Sequence, residues 1–242
     1  MSGHSKWSKI KRKKGEADAK KGAVFTKLGK AITIAAREGG GDVDMNFKLK
    51  LAVDKARAAN MPLDNIQRAI DKGAGSDKDG VQIEEAVYEL YGPEGMACLV
   101  TVLTDNKNRA LSDMKAVFAK QGGALGGAGS VAWMFEKKGL VVVEKVKIAN
   151  IDELTLEAID FGATEMEETE EEADFYCQAV DLKKLKDFLE GKGLVIETAE
   201  LVYKPKSLVK VETEEKKEKI VRFLEAIDEL DDVERVDINV DL

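Results

Sequence analysis

GLVVVEKVKIANIDELTLEAIDFGATEMEETEEEADFYCQAVDLKKLKDFLEGKGLVIETAE, residues 139–200, decides the fold. Hydrophobic periodicity changes repeatedly along it. The apolar run at 140–144 predicts a strand and the spacing over 151–161 a helix. Strands follow at 165–170 and 174–180, a helix at 182–190 and a strand at 194–198. That order, β-α-β-β-α-β, is the split βαβ pattern.

The pieces on either side spell the pattern a second time. A strand at 96–104, a helix at 108–121 and a strand at 131–135 precede it. A strand at 201–206, a helix at 213–230 and a strand at 235–241 follow. One ferredoxin-like domain inserted in another accounts for both. Upstream, Phe25, Leu28, Ile32 and Ala35 recur at three- and four-residue steps and predict a helix closed by glycines 39–41. A second helix is expected over 44–59 with Phe47 and Leu51 inward. A third opens at Pro62, with Leu63, Ile66 and Ile70 on its apolar face. Residues 73–80, glycine-rich and polar, read as a linker. The fold class is therefore α+β: a small N-terminal helical domain (1–76) followed by two ferredoxin-like α/β domains, an outer one (77–136 plus 201–242) and an inserted acidic one (137–200).

Charge divides the chain the same way. The net charge is −8, but residues 1–76 hold 17 Lys and Arg against 8 Asp and Glu, and the remainder carries −17. A cationic head on an anionic body points to a polyanion as partner of the head. Residues 1–15 show no hydrophobic period and read as a flexible arm, in which Lys6, Lys9, Lys11, Arg12, Lys13 and Lys14 crowd into nine residues, a density suited to neutralising phosphates. His4 and Trp7 are interleaved with them. Trp7 either stacks on a base or docks onto the first helix as a staple. Lys20, Lys27 and Lys30 lie opposite the apolar stripe of that helix, and Arg57 and Arg68 flank the corner between the second and third helices. These thirteen residues are the candidate nucleic-acid contacts. Asn60 at that corner, and Asp105, Asn106, Asn108 and Arg109 at a strand-to-helix junction, are candidates for surface recognition.

Other chemistry finds little footing. The glycine-rich run 122–130 has no Gly-Lys-Ser/Thr opening a helix, and it follows a helix where a dinucleotide fingerprint would follow a strand. It reads as a tight connection. The acidic stretch 165–174 reads as a charged strand edge. One histidine and two isolated cysteines, Cys98 and Cys177, make no zinc site, and no serine stands in a nucleophile elbow. No catalytic residue, metal, cofactor or small-molecule substrate is expected. With no apolar run of ~18–20 residues and no secretory signal, neither a membrane association nor an oxidising compartment is expected, and the reading is cytoplasmic.

These residues together resemble the YebC family of bacterial and organellar gene-expression regulators, nearly end to end. The resemblance is carried by Gly3-His4-Ser5-Lys6-Trp7, Lys11-Arg12-Lys13-Lys14, Phe25-Thr26-Lys27-Leu28, Asn60-Met61-Pro62, Arg68-Ala69-Ile70, Tyr91-Gly92-Pro93, Thr104-Asp105-Asn106, Asn108-Arg109, Leu125-Gly126 and Gly129-Ser130-Val131. At Asn46-Phe47-Lys48 the chain departs from the family pattern, which places a proline after the asparagine and then an arginine. The resemblance implies a three-domain, non-enzymatic protein. Bacterial members are usually described as DNA-binding transcriptional regulators. A mitochondrial member is a translational activator, and related bacterial proteins act on ribosomes to ease elongation through proline-rich stretches. The expected function is therefore nucleic-acid binding in gene expression, first as a translation factor engaging ribosomal RNA and ribosomal proteins, with a DNA-binding transcriptional regulator as the alternative.

Overall fold

A computed structural model describes residue 7, residues 18–75 and residues 82–242, with residues 18–20 as backbone only. The N-terminal unit is three helices: α1 (Asp18–Gly39), α2 (Phe47–Ala58) and α3 (Leu63–Ala74). Its core joins Leu28, Ile32, Ala35 and Ala36 of α1 to Leu49, Val53 and Ala56 of α2 and Ile66 and Ile70 of α3. Leu63, expected inward, is 68% exposed. It is the first residue of its helix, ahead of the turn that meets α1.

Two residues fix the helix junctions. Asn46 caps α2 by accepting from Leu49 N (3.1 Å), while its amide donates to Ala35 O and Gly40 O at 2.7 and 2.8 Å. Its side chain thus caps α2 and ties its start to the C-terminal end of α1. Gly73, expected in a linker, lies within α3 against Thr33 and Ala36, where a Cβ would overlap the α1 backbone.

Residues 139–200 fold in the predicted order. Strands β4 (Phe135–Glu144), β5 (Ala163–Glu168), β6 (Glu172–Gln178) and β7 (Ile196–Pro205) form an antiparallel sheet of order β5-β6-β4-β7. Helices α5 (Ile151–Asp160) and α6 (Leu182–Gly191) cover one face, burying Val141, Val143, Phe175, Leu185 and Leu189. Phe47 and Leu51 of α2 pack against this same cluster. They point inward as expected, but into the third unit. Helix α2 is therefore apolar on two sides and bridges two cores.

The flanking unit departs from the predicted pieces. Its sheet, of order β3-β1-β2-β9, uses β1 (Glu84–Tyr91), β2 (Ala97–Thr104), the two-residue β3 (Ala124–Leu125) and β9 (Val233–Ile238). Helices α4 (Lys107–Gln121) and α7 (Glu214–Asp228) pack on it, with Phe118 and Phe223 stacked between them. Residues 131–135 and 201–206, expected in this sheet, belong to the approach to β4 and to β7 of the other sheet. The strand in their place is β1, whose Ala86, Tyr88 and Leu90 alternate with Glu85, Val87 and Glu89. By position in the sheet β1 is the third strand of a ferredoxin-like unit, yet it comes first in the chain. A short parallel pair, β8 (Val209–Lys210) with β10 (Val240–Asp241), closes the crossover.

The two sheets are tied at β7 and β9. Arg235 of β9 donates to Leu201 O of β7, lies over the Tyr203 ring and pairs with Asp237 at 2.9 Å.

Candidate nucleic-acid interface

His4, Lys6, Lys9, Lys11, Arg12, Lys13 and Lys14 lie outside the described residues, as does the side chain of Lys20. The rest of the predicted set divides between solvent and the body. At the α2–α3 corner, α2 ends at Ala58, Asn60 adopts a left-handed turn with φ of 58°, and Arg57 is exposed. On α3, Arg68 donates only to neutral groups, Asn65 Oδ1 (2.9 Å) and Asp64 O (3.2 Å). Lys72 lies one turn further along the same side of α3. Among the described residues, Arg57, Arg68 and Lys72 have no ion pair.

Lys27 and Lys30 do something else. Lys27 Nζ donates to Asp228 O, and Lys30 Nζ donates to Asp232 Oδ1 at 2.6 Å and Asp231 O at 3.1 Å. The face of α1 expected to hold phosphate is turned onto the loop after α7, where backbone oxygens and carboxylates take the phosphate's place. Further contacts dock the same unit. Lys55 pairs with Glu200 (3.1 Å), Lys48 with Glu85 (3.4 Å), and Arg37 donates to Ile83 O.

Asp232 is the hub of this junction. Besides Lys30 it accepts from Thr104 Oγ1 (2.8 Å) and from Arg109, whose Nη2 lies 2.9 Å from Oδ2 and 2.7 Å from Asp105 Oδ1. Burial works against ionisation of Asp232, but the donors from Lys30, Arg109 and Thr104 together outweigh it and hold the carboxyl below its usual range. Asn106 caps α4 by accepting from Arg109 N (3.0 Å). Of the four polar residues singled out here from sequence, Asp105, Asn106 and Arg109 thus have structural partners. Asn108 is exposed and has none among the described residues.

Trp7 is 4% exposed and joins the core cluster of the β1–β2–β9 unit. Its ring borders a cavity of about 470 Å³ between α2, β7 and β9, beside Leu51, Ala58, Ile196 and Val236. A base cannot stack on it in this position. Docking onto the first helix is not what the structure shows either: Trp7 packs in the body's core, and the cavity it borders is walled by α2, β7 and β9, with no described residue of α1.

The glycine-rich loop has an internal ligand that sequence reasoning missed. Glu89 of β1 accepts from Gly129 N, Val131 N and Ala132 N at 2.5, 2.7 and 2.8 Å, and its own carbonyl accepts from Gly126 N at 2.7 Å. Gly129, at φ of 80°, supplies the left-handed step that aims these amides together. Burial opposes the charge of Glu89, and the three backbone N–H groups outweigh it and depress the pKa. The amides a phosphate would need are thus occupied by a carboxylate of the chain itself. Cys98 and Cys177 are buried, their thiols pushed up to about 12 and about 11, chiefly by that burial. Among the described residues, no group of three or more His, Cys, Asp and Glu could hold a metal ion, and no helix is long and apolar enough to cross a membrane.

Against this geometry, known proteins give a consistent result. The family described as the TACO1/YebC protein N-terminal domain matches residues 5–76, and the TACO1/YebC second and third domain matches residues 83–240. The chain belongs to the TACO1/YebC family. Among its relatives in that family, a probable transcriptional regulatory protein of Desulforapulum autotrophicum is 47% identical over all of this chain and 97% of its own length. Another so named, from Thermoanaerobacter pseudethanolicus, is 46% identical over all of this chain and 98% of its own length. The crystal structure of a conserved hypothetical protein from Aquifex aeolicus matches with a TM-score of 0.84 and 41% identity, covering 93% of this chain and 92% of that one. The TACO1/YebC matches part between residues 76 and 83, where the basic head meets the acidic body.

Proposed function

We propose that this chain is a non-enzymatic, cytoplasmic regulator of gene expression that holds nucleic acid through its basic N-terminal part. The observation that carries the reading is the exposed corner of α2 and α3. Arg57, Arg68 and Lys72 stand there without ion pairs among the described residues, in a segment of net charge +9. The arm cations Lys6, Lys9, Lys11, Arg12, Lys13 and Lys14, with His4 and Lys20, extend this surface in the proposal. Lys27 and Lys30 join it only if α1 leaves Asp228 and Asp232.

The relatives' names support a DNA-bound transcriptional regulator. A second reading, a factor engaging ribosomal RNA that eases elongation through proline-rich stretches, draws support from α3. The exposed side of that helix mixes Arg68 and Lys72 with Asp64 and Asp71, a composition suited to positioning on a backbone more than to reading base edges in a groove. In that reading the acidic body faces ribosomal proteins, which are often basic.

Co-sedimentation with purified ribosomes, with excess competitor DNA, separates the two. The control replaces Lys9, Lys11, Arg12, Lys13 and Lys14 by Ala. Pelleting that survives the DNA and is lost in the variant supports the ribosomal reading. Stripping by the DNA supports the transcriptional one. A protein that binds neither ribosomes nor DNA contradicts both.

A further inference from the structure

Trp133 is 63% exposed and Tyr91 41% exposed, and both rings are tethered at their polar tips to one atom. Trp133 Nε1 donates to Ser130 O at 3.1 Å, and Tyr91 Oη donates to the same oxygen at 3.2 Å. That carbonyl belongs to the loop whose amides Glu89 holds on both sides of it, at Gly129 and at Val131. The rings are thus fixed before any ligand arrives, so little rotamer freedom remains to be lost on binding. Lys206 Nζ donates to the backbone carbonyl of Trp133 at 2.8 Å, which holds a cation at the main chain of the residue that carries the indole.

We propose that Trp133 and Tyr91 form a stacking platform for an unpaired nucleobase, with Lys206 neutralising the adjoining phosphate. The hydrogen bonds favour this occupant over a peptide. A peptide backbone laid on aromatic rings needs donors for its carbonyls, and the indole N–H and phenol O–H are already committed to Ser130. What remains on offer is ring face, which every base can use. The cation suits a sugar-phosphate chain. This platform rests on the nucleic-acid reading above but uses none of its residues. It is a second contact, on the acidic body, selective for single strands.

The test is anisotropy of labelled oligouridylate, oligothymidylate and a duplex with wild type, Trp133→Leu and Tyr91→Phe, at several salt concentrations. Loss of one stacked base should weaken single-strand binding by Trp133→Leu about 5- to 150-fold. The salt slope and duplex affinity should stay as in wild type. Tyr91→Phe keeps the ring and loosens its tether, so a smaller loss of the same kind is expected. A larger effect on oligouridylate than on oligothymidylate assigns the platform to RNA, and equal effects assign it to either strand chemistry. Saturating oligonucleotide should also quench wild-type indole emission, and the quenched component should be absent from Trp133→Leu. Single-strand affinity unchanged in Trp133→Leu overturns the platform and leaves the basic head standing. So does an equal loss on duplex and single strands, or emission quenched by a proline-rich peptide and by neither oligonucleotide. A wild type that binds no nucleic acid overturns the parent reading and the platform together.

Discussion

Two carboxylates, Asp232 and Glu89, organise the strand-to-helix junction at residues 104–109 and the glycine-rich loop 122–130. Asp232→Asn leaves Lys30 and Arg109 facing a neutral amide. Both cations keep some contact with water, so the cost should be about 2 kcal/mol, below the ~3–5 of a fully buried broken pair. A shifted urea midpoint at pH 7 checks it. Because the folded pKa of Asp232 is depressed, its contribution is complete above the ordinary carboxylate range near pH ~4 and is lost as pH falls through the lower folded value. The difference between wild type and Asp232→Asn should therefore shrink below about pH 4. At the loop, Glu89→Gln should speed hydrogen exchange at the amides of Gly129, Val131 and Ala132, which share the carboxylate now. Unchanged protection there would mean the loop holds its shape without Glu89. The sequence places Asp105, Asn106 and Arg109 at a strand-to-helix junction and offers them for surface recognition; the structure gives each a partner within the chain. Their hub was not legible, because Asp232 lies 123 residues beyond Arg109 and no local pattern announces such a partner.

At the level of elements, legibility followed chain order. Residues 139–200 present their strands and helices in the order of the split βαβ pattern, so periodicity sufficed. The outer unit begins with what is spatially its third strand, so completing the pattern from the remaining pieces put 131–135 and 201–206 in the wrong sheet. The alternation in β1 was readable, but its glutamates disguised a strand whose outward side chains hold a loop and a lysine. Helix α2 shows the same limit. Its Phe47 and Leu51 are visibly apolar, while which of two cores they enter depends on a unit more than eighty residues away. Gly73 looked like a linker glycine because it is followed by Ala-Gly-Ser. Its actual reason is the close crossing with α1, so Gly73→Ala should destabilise the protein by about 1–3 kcal/mol, the range for overpacking, although alanine has the better helix propensity. A thermal melt that rises instead would show that the α1–α3 crossing has slack.

Across the whole molecule, the separation of charge visible in the sequence is folded back on itself. Part of the basic head, through Lys27, Lys30 and Lys55, is docked on the acidic body, while Arg57, Arg68 and Lys72 face solvent. The body thus takes up Lys27, Lys30 and Lys55 and leaves Arg57, Arg68 and Lys72 as the cations that the proposed polyanion would meet. The most direct test of the central claim is the salt dependence of affinity for duplex nucleic acid. If the head neutralises ~6 phosphates, log K against log salt should fall with a slope of about −5. Arg57→Ala and Arg68→Ala should each make that slope shallower by about 1, weakening all sequences alike. A flat dependence, or a slope that neither substitution changes, would contradict the assignment of this surface to nucleic acid.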